Sequence, residues 1–144
     1  MFDNILMVCV GNLCRSPTAE ILLRHRLDRA DCTVHSAGLA ARDGAPMDAT
    51  AMAVLAEHGF DGGNHAARRL DDAQLSEAGL VLAMEPSHVE AILARAPHTR
   101  GRVMLLGRWL DERPIPDPFG QQRPAHEHVY SLISDAVEAW LPYL

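Results

Sequence analysis

The sequence predicts one α/β domain over residues 1–144, a four-stranded parallel sheet with helices on both faces. Three observations carry that expectation. Short continuous apolar runs, of which Ile5-Leu6-Met7-Val8 and Leu80-Val81-Leu82-Ala83-Met84 are the clearest, have the length and character of strands buried on both sides. Segments with apolar residues at helical spacing lie between them, so strand and helix alternate along the chain. The first strand opens into a tight loop, Cys9-Val10-Gly11-Asn12-Leu13-Cys14-Arg15-Ser16-Pro17, that runs straight into a helix. A chain of 144 residues is long enough to bury a substantial core.

Taken in order, the first strand is Ile5–Val8 and the first helix runs from about Pro17, at a first helical position, to Ala30. Ala19, Leu22, Leu23, Leu27 and Ala30 fall on its inward face, and Arg24, Arg26 and Arg29 on a solvated one. Cys32–Gly38 reads as the second strand, with Cys32 a small core residue and Gly38 its end. Strand, helix and strand in this order predict a right-handed parallel crossover. Asp48 is placed to cap a helix that ends near Gly59. Asp71-Asp72 opens a short helix, Leu80–Met84 is the third strand, and Glu85-Pro86-Ser87 starts a helix that turns Val89, Ile92 and Leu93 inward. Arg102–Leu106 is the fourth strand. The stretch from Gly107 to about Arg123 contains Pro114-Ile115-Pro116-Asp117-Pro118-Phe119-Gly120, and its prolines fix the backbone and exclude helix. A stiff loop of this length in a compact domain points to a functional segment. The last helix, Pro124–Leu141, shows the strongest periodicity: Val129, Leu132, Ile133, Ala136, Val137, Trp140 and Leu141 form one apolar stripe.

The chemistry concentrates in the first loop. A loop closing on a helix N-terminus turns backbone N–H groups inward, and the helix dipole adds partial positive charge, so the place suits an oxyanion such as phosphate. Arg15 adds a planar fork able to bind two phosphate oxygens at once. Gly11 and Asn12 supply the tolerance of positive φ that such a loop needs. Cys9 faces this cradle, where amides, helix end and guanidinium all favour an anion, so it is expected to act as a nucleophile beside bound phosphate. The loop lacks Gly-Lys-Ser/Thr and is not a Walker loop. Asp117, flanked by prolines, is either an ordinary turn aspartate or a carboxylate held at a set angle.

The whole-chain balance narrows the partners. A net charge of −6 argues against nucleic-acid binding. No apolar run is long enough to span a membrane. The N-terminal apolar run is short and lacks a basic flank, so no secretory leader is expected. Three cysteines suit a reducing compartment better than a disulfide scaffold, and the expected location is the cytoplasm. His and Cys do not recur at ligand spacing, so no metal and no cofactor are expected.

Cys9 through Pro17 resembles the signature of the low-molecular-weight protein tyrosine phosphatases, C-x-G-N-x-C-R-S-P, and the resemblance runs over essentially the whole chain. It is nearest to the bacterial subgroup associated with capsule and exopolysaccharide production. The resemblance implies hydrolysis of phosphotyrosine through a cysteinyl-phosphate, with Cys9 as nucleophile, Arg15 binding phosphate and Asp117 as general acid. It further implies that the loop residues Val10, Gly11, Asn12, Leu13, Cys14 and Ser16 bind the phosphoryl group, and Ser16 is also expected to hydrogen-bond the thiolate. The Ser36-Ala37-Gly38 match implies that Ser36 holds the loop in shape, and His65-Ala66-Ala67-Arg68 that His65 supports Asn12. Leu39, Ala40 and Phe119 are implied at the substrate rim, with Phe119 standing where relatives often carry tyrosine. Glu85 stands where the family shows aspartate and is expected to give no more than support. Cys14 is either a redox partner that captures oxidised Cys9 in a disulfide, as the family implies, or a loop-packing thiol. The implied partner is a phosphotyrosine protein, a membrane tyrosine autokinase, with this chain acting as a monomer.

Three rival functions are weighed. An arsenate reductase shares this fold and loop but needs further redox cysteines near the third strand, and residues 79–95 contain none. A protein-arginine phosphatase tends to carry threonine at the position of Leu13, and leucine favours aryl phosphates. A phosphate-binding module without turnover is opposed by the presence of Cys9, Arg15 and Asp117 together.

Overall fold

The computed structural model describes all residues, Met1–Leu144. Its core is a four-stranded parallel sheet made of β1 (Asn4–Cys9), β2 (Thr33–Gly38), β3 (Leu80–Ala83) and β4 (Val103–Leu105), in the order β2-β1-β3-β4. Five helices surround it: α1 (Arg15–Leu27), α2 (Ala49–Glu57), α3 (Asp72–Glu77), α4 (Pro86–Arg95) and α5 (Arg123–Trp140). The alternation read from the sequence is therefore the architecture. The chain leaves β1 towards β2 on one side and later fills the other side with β3. The C-terminal end of β1 is thus the point where strand order reverses, where ligands bind in open α/β sheets.

Strand pleating sorts the core into two clusters. Ile5, Met7 and Cys9 join Leu22, Leu23, Val54, Leu55, Ile133 and Val137 on the face covered by α1, α2 and α5. Leu6 and Val8 join Leu75, Val81 and Ile92 on the face covered by α3 and α4. Ile5, Leu6, Met7 and Val8 are all fully buried, which is why this segment reads as a continuous apolar run and not as an alternation. Truncating any of them to alanine is expected to cost about 2–5 kcal/mol. α5 is fixed to the sheet by Trp140, whose Nε1–H donates to the Leu106 carbonyl at 2.8 Å.

Local chemistry sets the boundaries. Asp48 caps α2, its Oδ2 accepting from the Ala51 N–H at 3.0 Å, and Asp71 and Gln74 close a capping box on α3. Several expectations need correction. α1 starts at Arg15 and not at Pro17, because the loop itself winds into the first turn. It ends at Leu27, where Asp28 adopts φ 49°, so Ala30 lies beyond the helix and is exposed. Arg26 is not simply solvated: it donates to the Ser134 carbonyl at 2.9 Å and hydroxyl at 2.7 Å and ties α1 to α5. Cys32 precedes β2, is only half-buried, and packs on the edge of the larger core cluster.

The proline-rich loop is pinned at its centre. The Ile115 side chain is buried and its N–H donates to the Met84 carbonyl at 2.9 Å, just past the end of β3. Gly107 is required at the loop's start, because a Cβ there would lie 1.9 Å from the Arg113 carbonyl oxygen.

Candidate active site

Cys9 ends β1 and is 3% exposed; the segment after it curls over the strand end and enters α1 at Arg15. A cleft of about 180 Å³ opens there, lined by Cys9, Val10, Gly11, Leu13, Cys14, Arg15, Asp117 and Phe119. Residues from opposite ends of the sequence, the first loop and the proline-rich loop, thus share one cavity. The fold gives the nucleophile candidate and the acid candidate a common space.

The loop is held by Asn12. Its backbone is left-handed, φ 56°, and its side chain is fully buried. The positive φ expected of both Gly11 and Asn12 is confined to Asn12, which as asparagine tolerates it. Asn12 Oδ1 accepts the Arg68 N–H at 2.9 Å, which fixes which end of the amide is which. Its Nδ2 then donates to Ser16 Oγ at 2.8 Å and to Ser36 Oγ at 2.9 Å. Ser36 in turn donates to Glu20 Oε1 at 2.6 Å, and His65 Nε2 meets the Asn12 carbonyl at 2.7 Å. Gly38 is needed beside this network: a Cβ there would stand 2.4 Å from the Val10 carbonyl oxygen and 2.9 Å from the Asn12 nitrogen.

The network places Ser16 against the sulfur. Ser16 Oγ lies 2.9 Å from Cys9 Sγ and already accepts from Asn12 Nδ2. A serine hydroxyl carries one O–H and two lone pairs, so either group can be the donor while the sulfur is a thiol, and only Ser16 can donate once the sulfur is an anion. Arg15 is 3% exposed and is clamped from behind, donating through Nη1 to Glu85 Oε2 at 2.6 Å and to the Ile115 carbonyl at 2.8 Å. The same Ile115 that anchors the proline-rich loop therefore also aims the guanidinium. Arg15 Nη2 lies 3.8 Å from Asp117 Oδ2, and Asp117 Oδ1 accepts the Phe119 N–H at 3.0 Å in an Asx turn. The Asp117 side chain is about half exposed and faces the cleft mouth.

The sulfur at Cys14 differs from that at Cys9. Burial, followed by the charge of Asp48, pushes the Cys14 thiol well above the usual thiol range, so it stays protonated. His88, which accepts the Glu85 N–H at 3.2 Å, is held below the usual histidine range by burial and then by Arg15.

Of the residues singled out in the sequence, Cys9, Val10, Gly11, Leu13, Cys14, Arg15, Asp117 and Phe119 line this cavity, while Asn12 and Ser16 are fully buried and do not; His65 meets Asn12 as expected, and Ser36, expected to hold the loop in shape, meets Asn12 as well. Leu39 and Ala40 do not line it. Their N–H groups donate to the Cys9 and Val10 carbonyls at 2.9 Å, and Leu39 packs towards the opposite sheet face. The apolar rim is formed instead by Val10, Leu13 and Phe119, the last 57% exposed. Glu20 was missed; its signal was an acid one turn after Ser16 on α1, on the side that meets β2. The part played by Ile115 was also missed, since a carbonyl contact leaves no mark on residue type.

The chain is similar to known proteins over nearly its whole length. Residues 4–144 match the family model described as low molecular weight phosphotyrosine protein phosphatase. A relative from Escherichia coli strain K12, the low molecular weight protein-tyrosine-phosphatase Etp, is 44% identical over 139 residues, 96% of this chain and 93% of that one. The protein-tyrosine-phosphatase Wzb of Salmonella typhimurium is 45% identical over 140 residues, 97% of this chain and 93% of that one. Among solved structures, Vibrio vulnificus Wzb in complex with benzylphosphonate superposes with a TM-score of 0.95 at 43% identity, covering 100% of both chains. The chain belongs to the low molecular weight phosphotyrosine protein phosphatase family.

Proposed function

We propose that this family member hydrolyses phosphotyrosine in proteins by two in-line displacements at Cys9. In the first, Cys9 Sγ attacks phosphorus, the P–O bond to the phenol breaks, and the Asp117 carboxyl gives its proton to the departing oxygen. In the second, a water attacks phosphorus and passes its proton to the Asp117 carboxylate. The S–P bond breaks, and inorganic phosphate leaves with the thiolate restored. Arg15 and the N–H groups of the loop from Val10 to Arg15 stabilise the equatorial oxygens in both steps. Ser16 stabilises the sulfur as nucleophile and again as leaving group. Every role falls to a side chain or backbone group of the chain.

The observation that carries this reading is the Ser16 hydroxyl, held by Asn12 and lying 2.9 Å from Cys9 Sγ, where it can donate to a sulfur anion. The apolar rim of Val10, Leu13 and Phe119 favours a flat aromatic leaving group. Substrates are phosphoproteins. The names of the relatives support phosphotyrosine, and a membrane tyrosine autokinase of polysaccharide production, reached from the cytoplasm, is the partner we assign. Cys14 is assigned as the thiol that captures oxidised Cys9. Intact mass after peroxide should show the loss of two hydrogens, and a sulfinic acid formed without that loss would end the redox assignment.

The test is release of phosphate from a phosphotyrosine peptide, a phosphoarginine peptide and para-nitrophenyl phosphate, with wild type and Cys9→Ser side by side. The reading expects turnover of the phosphotyrosine peptide and the aryl phosphate that vanishes in the variant. A preference for phosphoarginine, or turnover that survives in Cys9→Ser, would overturn it.

A further inference from the structure

Behind the active-site loop, three side chains far apart in the sequence converge: Cys14 at the end of the loop, Asp48 capping α2, and His126 in the first turn of α5. One ligand-capable atom from each, the sulfur, a carboxylate oxygen and an imidazole nitrogen, lies within 4.8 Å of the other two. His126 Nδ1 is the informative atom. The residue is 4% exposed, yet this nitrogen has no hydrogen-bond partner and points at Asp48 Oδ2, 3.9 Å away. An unpaired buried nitrogen costs about 1–3 kcal/mol and calls for a partner. A cavity of about 10 Å³, lined in part by Cys14 and His126, adjoins two of the three groups, which is room for a single small species.

We propose that Cys14, Asp48 and His126 form a binding site for Zn²⁺. A thiolate, an imidazole and a carboxylate are the mixed donor set that zinc takes, whereas magnesium and calcium would want oxygen alone. Bonds of roughly 2.0–2.3 Å to a tetrahedral ion put donor atoms about 3.3–3.8 Å apart, so the group needs to close by about 1.5 Å at most. Binding breaks the Cys14 S–H bond, sends its proton to solvent and forms the S–Zn bond, with no change of oxidation state. Nδ1 gives its lone pair to the ion, which places the imidazole proton on Nε2. Asp48 can keep its cap on α2, because Oδ2, the oxygen near His126 that accepts the Ala51 N–H, has a second lone pair for the ion. A fourth position remains for water. The bound ion would cross-link the end of the phosphate loop to α2 and α5.

The test titrates Co²⁺, a coloured stand-in for zinc, into the full-length Cys9→Ser protein, in which the active-site sulfur cannot compete. The expected result is a thiolate-to-cobalt charge-transfer band that saturates at one ion per chain, disappears on adding Zn²⁺, and comes with a raised thermal midpoint. Adding Cys14→Ser should remove the band. Asp48→Asn, which preserves the helix cap, and His126→Gln should each weaken binding at least tenfold. No charge-transfer band in a folded Cys9→Ser protein would overturn the assignment. So would a band that survives Cys14→Ser, which would place the ion on Cys32, or affinity unchanged in Asp48→Asn.

Discussion

Replacing Asn12 by alanine tests the claim that one buried amide holds the phosphate loop in shape. The substitution removes three hydrogen bonds, to Ser16 Oγ, Ser36 Oγ and the Arg68 N–H, in a place without solvent. Each is worth about 1 kcal/mol net, and more where a buried partner is left alone. Ser16 keeps Cys9 and Ser36 keeps Glu20, so only the Arg68 N–H loses the sole partner it has here. Alanine must also adopt φ 56°, which adds about 1–2 kcal/mol. The total is about 3–5 kcal/mol, a fall in thermal midpoint of roughly 10–15 °C for a chain of this size. Asn12→Gly separates the two parts: it relieves the backbone strain and should recover about 1 kcal/mol while leaving the bonds broken. Differential scanning calorimetry and kcat/KM on an aryl phosphate read both consequences, and activity should fall at least about tenfold as Ser16 loses its fixed orientation. A cost below about 1 kcal/mol with activity near wild type would refute the reasoning.

Other consequences are open to measurement. Asp117→Ala should lower kcat on phosphotyrosine peptides by about 10²–10⁴ but affect para-nitrophenyl phosphate much less in the first displacement, because a good leaving group needs no proton; equal losses in that step on both would count against an acid at this position. Gly38→Ala puts a methyl group against the backbone of Val10 and Asn12, so it should cost about 3 kcal/mol or more and impair turnover together with stability, as denaturant titration and steady-state kinetics would show. His35 and His88 are both held below the usual histidine range by burial, with Arg68 and Arg15 respectively adding to it. The unfolded chain therefore binds more protons than the native one as pH falls through about 6.5, so stability should fall as pH drops through that value and level off above it. Urea titrations across pH should show this slope reduced in His88→Gln, and an unchanged slope would remove His88 from the account.

The architecture was legible because β1 and β3 are buried on both faces and so carry unbroken apolar runs, while α5 presents its stripe to one layer only. Cys9 and Arg15 were legible because their chemistry depends on residue type in a recognisable loop, whereas Asp117 read equally as a turn aspartate until the family resemblance gave it the acid role. What escaped was set by backbone or by distance in sequence. Ile115 aims Arg15 through a carbonyl, and any residue has one. Leu39 was assigned to the rim by resemblance, but its side chain packs on the core of the opposite face of the sheet. The register of α1 slipped by two residues because the loop winds directly into helix, without a side-chain cap to mark the start. Cys14, Asp48 and His126 meet only after α2 and α5 fold against the loop, and their spacing along the chain gives no sign of it.

The central claim is that phosphate passes through Cys9, and trapping the intermediate tests it most directly. In Asp117→Ala the first displacement on para-nitrophenyl phosphate should still proceed, while hydrolysis lacks its base, so the cysteinyl-phosphate should accumulate. Acid quenching within the first turnovers, followed by peptide mass mapping, should find a phosphoryl group on Cys9, together with a burst of nitrophenol equal to the enzyme present. A steady release of nitrophenol with no phosphoryl group on Cys9, or the group on another residue, would contradict the account.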